Sequence, residues 1–166
     1  MNISKTFKTK IFTREKIFYL AIVAIVFSLD RFSKIRMLKQ QVENNGSFFV
    51  NDYLNFDLVW NTGIGFGLVS LDANIYYHII SFLIFLVIVF LSYLISKAVF
   101  VEQVMYSLIL GGALGNFYDR LFYFAVPDFI DIHINNFHWF TFNIADIFIT
   151  VGVILLISKD IMLNKK

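Results

Sequence analysis

No cysteine occurs in the chain. That excludes a disulfide framework, a thiolate nucleophile and a thiolate metal site. Charge is scarce too: Asp, Glu, Lys and Arg make up 16% of the 166 residues, against roughly a quarter in a soluble domain. The net charge of +2 is too small to argue for a nucleic-acid partner. The histidines His78, His133 and His138 show no metal-ligand spacing such as His-Glu-x-x-His, so no metal site is expected. No Ser/His/Asp arrangement stands out and no glycine-rich phosphate loop follows a strand. There is also no internal repeat and no low-complexity linker.

What is present is apolar. Hydrophobic residues make up 58% of the chain and the mean hydropathy is +0.72. This composition reads as one integral membrane domain, residues 1–166, with room for about four spans of roughly 20 residues. The spans are expected at about 17–37, 73–96, 103–125 and 140–158. A basic segment with Lys5, Lys8, Lys10, Arg14 and Lys16 precedes the first apolar run. It looks like the start of a signal peptide, but Ser28-Leu29-Asp30 offers no small-x-small cleavage site. The run is therefore read as an uncleaved first span.

Positive charge sets orientation. The basic N-terminal segment, Lys97, Lys159, Lys165 and Lys166 place both termini in the cytoplasm. Arg31, Lys34, Arg36 and Lys39 oppose this, but long basic side chains can snorkel to the interface. With this topology, Asp30, Lys34, Asn116, Asp119, Arg120, Asn143 and Asp146 all fall near the outer ends of their spans. Asp128 falls in the loop between the third and fourth. Ionisable groups at membrane depth are costly and are functional candidates by default. The outer segment, about 40–72, contains an alternating stretch, Tyr53 to Asn61, which reads as a half-buried strand. It runs into the glycine-rich Asn61-Thr62-Gly63-Ile64-Gly65-Phe66-Gly67. A small sheet on the membrane surface is expected there.

Asp128 and Asp146 are the candidates for acid/base chemistry, because two adjacent carboxylates share one proton near neutral pH. The plainer reading is a loop residue and a helix-end charge. Asn116, Asp119 and Arg120 share a helical face by i, i+3 and i+4 spacing. Arg120 and Asn116 suit a carboxylate or a substrate carbonyl, whereas Asp119 reads as one half of an internal ion pair with Arg120. Asn143, one turn before Asp146, is placed to orient it. Asp30 and Lys34 form an i, i+4 pair that either neutralises itself or positions substrate. Gly111, Gly112 and Gly115 leave one strip of the third span free for close helix packing. A proton-coupled transporter also needs intramembrane carboxylates, and a non-catalytic scaffold remains a third reading. The transporter predicts polar groups at several depths rather than in one layer.

Five motifs in order carry a resemblance. They are Asp30-x-x-x-Lys34, Asn61-x-Gly63-x-x-Phe66, Gly111-Gly112-Ala113-x-Gly115-Asn116-x-x-Asp119-Arg120, Val126-x-Asp128-Phe129, and Phe142-Asn143-x-Ala145-Asp146. From about Asp30 to Ile157 the chain resembles the lipoprotein signal peptidases (signal peptidase II). The resemblance implies an all-α membrane bundle of four transmembrane helices with a small extracytoplasmic β-sheet on the membrane surface. It implies an aspartic endopeptidase of the bacterial inner membrane, working near the extracytoplasmic face. Its substrates would be diacylated prolipoproteins, cut before the lipid-modified cysteine. It implies sensitivity to globomycin, membrane lipid as a partner, and no metal or organic cofactor. Asp128 and Asp146 match the family's catalytic pair. Asp30, Lys34, Asn61, Gly63, Gly112, Asn116, Arg120 and Asn143 match supporting positions, with Asp119 beside them. Arg31 stands where the family often has Gln, and Gly65 and Gly67 where it often has Ala or Ser.

Overall fold

The computed structural model describes residues 14–44, 48–63, 75–135 and 137–163. In chain order the elements are α1 (Arg14–Asn44), β1 (Phe48–Asn51), β2 (Leu54–Asn61), α2 (Ile75–Lys97), α3 (Phe100–Tyr123), β3 (Val126–Ile134), β4 (Phe137–Phe142) and α4 (Ile144–Leu163). Four helices and one sheet match the expected fold at this level. Among the described residues one helix segment, Tyr77–Lys97, is long and apolar enough to cross a membrane by length and composition.

Two helix ends differ from the sequence expectation. α1 runs on to Asn44 rather than ending near Met37. Residues 38–44 contain no glycine or proline, and Leu, Lys and Gln are good helix formers. α3 stops at Tyr123, short of Ala125, because Phe124 takes a left-handed conformation (φ 55°). Pro127 follows, and a residue before proline is pushed towards extended backbone.

The largest difference lies in residues 126–142. Asp128 is on a strand, not in a loop, and residues 140–142 belong to β4 rather than to the fourth span. The sheet is antiparallel with order β1-β2-β3-β4, so the sequence expectation found only its first half. Ile130, Ile132 and Ile134 alternate with Asp131 and His133, a period-two pattern that marks a strand.

α3 is the central helix and packs against α1, α2 and α4. Ile88, Leu91 and Ile95 of α2 meet Ile109, Leu110 and Ala113 of α3 in the main apolar core. A second core, Met37, Leu58 and Phe129, fastens the sheet to the C-terminal part of α1. The glycine strip of α3 is where the helices come closest. A Cβ at Gly112 would sit 2.5 Å from the Ala145 carbonyl oxygen of α4, and one at Gly115 would sit 2.5 Å from Asp30 Oδ2 of α1. The neighbour of Gly112 is backbone and cannot swing away. Gly112→Ala is therefore expected to destabilise by about 1–3 kcal/mol through overpacking. Thermal denaturation in detergent reads this directly, and an unchanged melting temperature would refute so close a contact.

Candidate active site

The first turn of α4 builds one half of the site. Asn143 and Asp146 cap the helix reciprocally. The Asp146 backbone N–H donates to Asn143 Oδ1 (3.1 Å), and the Asn143 N–H donates to Asp146 Oδ2 (3.2 Å). This is an Asn/Asp version of the capping box, which satisfies N–H groups that a helix start leaves open. It also fixes the Asp146 carboxylate at the positive end of the helix dipole. Asp146 Oδ1 accepts a further bond from Asn116 Nδ2 (2.8 Å).

β3 supplies the other half. Asp128 is 3% exposed. Its Oδ1 accepts from Asn143 Nδ2 (2.5 Å) and its Oδ2 from Asn61 Nδ2 (2.9 Å). Asn143 therefore holds both aspartates, one through its side chain and one through its backbone. Burial, and next the negative charge of Asp146, push the Asp128 carboxyl up to about 7; the two asparagine donors oppose that rise.

Asn61 also organises the start of the loop after β2. Its Oδ1 accepts from the Gly63 N–H (3.0 Å), and Arg120 Nη2 donates to the Gly63 carbonyl (2.5 Å). Arg120 is buried, and its Nε and Nη1 have no hydrogen-bond partner among the described residues. The Tyr77 hydroxyl donates to the Arg120 carbonyl (2.8 Å). The rest of the loop, with Gly65, Phe66 and Gly67, lies outside the described residues.

Behind the aspartates lies an ionic cluster. Lys34, fully buried, donates to Asp30 (2.9 Å), Asp119 (2.7 Å) and Asn116 Oδ1 (2.9 Å). Asp30 Oδ1 accepts from the Ala145 N–H (3.0 Å), a second tie to the start of α4. Arg31 lies 2.6 Å from Asp119 and 4.8 Å over the Tyr118 ring. Asp119 thus pairs with Lys34 and Arg31 of α1 rather than with Arg120. Two carboxylates and two cations balance within the bundle, and Arg31 has a defined place in that balance.

Asn61, Asn116, Arg120, Asp128 and Asp146 line one end of a cavity of about 330 Å³. Its other end is apolar, walled by residues such as Ile84, Val87, Leu91, Ile109 and Ala113. A second, apolar groove of about 270 Å³ runs along Phe140, Phe142, Ile147 and Val151 and reaches Asp146 from another side. Such a site can take a proton and return one next to an apolar ligand.

The structure brings every expected site residue into one connected region, with Gly112 spacing α3 from α4. It also shows contacts that the sequence reading had not found. The capping box was legible in Asn143-x-x-Asp146, a helix-start signature. His133 and His138 meet Asp131 on β3 and β4. Only hairpin register, not helix spacing, would have revealed that meeting.

Comparison with known proteins defines the class. The sequence matches the family described as signal peptidase (SPase) II over residues 22–162. It is 46% identical over 154 residues to the lipoprotein signal peptidase of Pelagibacter ubique (strain HTCC1062), covering 91% of this chain and 93% of that protein. It is 38% identical over 157 residues to the lipoprotein signal peptidase of Francisella tularensis subsp. mediasiatica (strain FSC147), covering 92% and 97%. Its fold is similar to a bacterial membrane enzyme solved by the in meso method at 2.3 Å resolution. That likeness has a TM-score of 0.70 and 33% identity, covering 89% of this chain and 91% of the other. By class this is a peptidase. The chain belongs to the signal peptidase II family.

Proposed function

We propose that this chain is an aspartic endopeptidase that removes signal peptides from bacterial prolipoproteins, cutting before the diacylglyceryl-modified cysteine. The observation that carries the reading is Asn143, which holds Asp128 and Asp146 together at the polar end of the cavity. The pair shares one proton. The ionised carboxylate takes a proton from water as the oxygen attacks the scissile carbonyl, and the other donates to the carbonyl oxygen. When the tetrahedral intermediate collapses, the C–N bond breaks. The cysteine amine leaves with a proton from the pair, and the signal peptide leaves as a carboxylate. Arg120, with two donors that have no partner among the described residues, lies beside the cavity and serves to hold a substrate carbonyl. No metal or organic cofactor enters these steps.

The substrate brings two apolar parts, a signal segment and acyl chains. Two apolar grooves converging on Asp146 suit such a molecule. In this reading all four helices span the bacterial inner membrane. Large apolar side chains stand exposed along them, including Phe82, Leu83 and Phe90 on α2, Phe32 on α1 and Ile154 on α4. A water-facing surface rarely carries so much contiguous apolar area. Lys159 pairs with Glu102 near the α2–α3 turn, which also holds Lys97, so these charges gather at the end away from the aspartates. That end is assigned to the cytoplasm.

The test is cleavage of a purified diacylated prolipoprotein by the purified protein, with the product's new N-terminus read by mass. Globomycin is expected to block the reaction. Turnover is expected to fall as pH rises through about 7, because Asp128 then loses the proton that the acid step needs. No cleavage of the diacylated substrate, or a rate still rising well above pH 8, would overturn the reading.

A further inference from the structure

Asp131, His133 and His138 form a cluster that the proposed reaction does not use. β3 and β4 pair with His133 opposite His138, and a register irregularity falls between Asp131 and His133. The two imidazoles stack, with centroids 5.1 Å apart and 22° between planes. Asp131 Oδ2 lies 2.7 Å from His138 Nδ1 and 3.6 Å from His133 Nδ1. One ligand atom from each residue lies within 4.8 Å of the other two.

The polar accounting at this cluster is incomplete. The His133 side chain is more than nine-tenths buried (9% exposed), yet its Nδ1 has no hydrogen-bond partner among the described residues. Asn55, the register partner of Asp131 on β2, likewise has a buried Oδ1 without a partner among those residues. Buried polar atoms are nearly always satisfied by something. Here the unsatisfied nitrogen lies on the carboxylate side of a stacked histidine pair.

We infer that Asp131, His133 and His138 bind one divalent first-row transition-metal ion, with Zn²⁺ as the best match. Two imidazoles and a carboxylate are borderline donors of the kind zinc takes, at about 2.0–2.2 Å each. Ligand atoms around such a tetrahedral centre stand roughly 3.3–3.5 Å apart. The Asp131–His133 separation is already near that figure. His138 Nδ1 must move off Asp131 and swing towards His133, since the three ligand atoms span up to 4.8 Å, and its side chain is 56% exposed and free to turn. Calcium and magnesium want more oxygen ligands than this cluster offers.

The ion would rivet β3 to β4. Asp128 and Asp131 are three residues apart on one strand, so alternation turns them to opposite faces. The site is therefore separate from the aspartate pair and activates no water there. Its effect is on stiffness: the hairpin it would clamp begins with the strand of Asp128 and ends one residue before Asn143.

Tag-free protein in detergent, stripped with a chelator, is titrated with ZnCl₂ by calorimetry. One saturable site is expected. His138→Asn and His133→Asn are each expected to weaken binding at least tenfold, while His78→Asn, on α2, leaves it unchanged. Bound Co²⁺ is expected to give the visible absorption of a low-symmetry site, lost in His138→Asn. Zinc is expected to raise the melting temperature of the wild type but not of His138→Asn, whose metal-free melting temperature serves as the folding control. Absence of a stoichiometric site, or zinc binding equal to wild type in both hairpin variants, would overturn the inference.

Discussion

Asp128→Asn and Asp146→Asn are each expected to abolish prolipoprotein cleavage, a loss of at least about 10³-fold, in proteins that still insert and fold. An amide can neither take the proton from water nor return one, so losing either partner stops the same cycle. The fold should survive, because Asn fills the space of Asp and its side-chain oxygen still accepts one of the two asparagine donors. Asp128→Asn carries a second, opposite signature in stability. The Asp128 carboxyl is raised from 3.8 to about 7 in the folded protein, chiefly by burial. A raised carboxyl means that the folded state holds the proton more tightly than the unfolded chain does. Wild-type stability is therefore fullest below about 4 and is lost as pH climbs to about 7. By pH 8 the ionised group costs up to about 4 kcal/mol, an upper bound because a buried site relaxes and admits water. The amide variant escapes that cost. It should melt higher than wild type at pH 8, with the gap shrinking towards pH 5. Melting curves at the two pH values, alongside the cleavage assay, check both halves. Near-normal turnover by either variant would sink the paired-carboxylate mechanism, and a lower melting temperature for Asp128→Asn at pH 8 would contradict the electrostatic account.

Lys34→Met is expected to lose about 3–5 kcal/mol, enough to remove most of the folded protein from a preparation. Lys34, Asp30 and Asp119 are all fully buried. Deleting the cation leaves two carboxylates facing Arg31 alone. The damage would not stay local. Asp30 also holds the Ala145 N–H, and Asn116 also holds Asp146, so the start of α4 loses supports from two directions. Asp119→Asn should lower stability while leaving measurable turnover, because Lys34 keeps Asp30 and Asn116. Combining Lys34→Met with Asp119→Asn restores the charge balance and should recover part of the loss. Melting temperature and cleavage per folded molecule separate the cases. A Lys34→Met protein with wild-type stability would refute the account of this cluster, as would a well-folded but inactive Asp119→Asn.

The residues that meet in the candidate site stand out in the sequence, because each sits in a short polar motif against an apolar background. Their assignment to roles is less plain there. Asp119 invited pairing with its neighbour Arg120, yet α3 turns Asp119 towards α1 and leaves Arg120 beside the cavity, bonded to Gly63. Residues 126–139 read as a connecting loop and 140–142 as the start of the fourth span, whereas both belong to a hairpin. A short alternating stretch between two apolar runs looks like a connection until its partner strand is known, and here the polar residues Asp131 and His133 take the buried face.

Composition, apolar runs and motif order were enough to indicate helices, glycine-mediated packing and a polar layer with two candidate aspartates. These follow from local periodicity and from the cost of burying charge, both of which a linear chain displays. Folding was needed to establish that Lys34 reaches Asn116 and Asp119 across 82 and 85 residues, and that Asn143 bridges Asp128 and Asp146. Folding was also needed to set His133 against His138. Such pairings depend on helix crossing and strand register, where a shift of one residue redirects every side chain. No spacing along the chain contains that information.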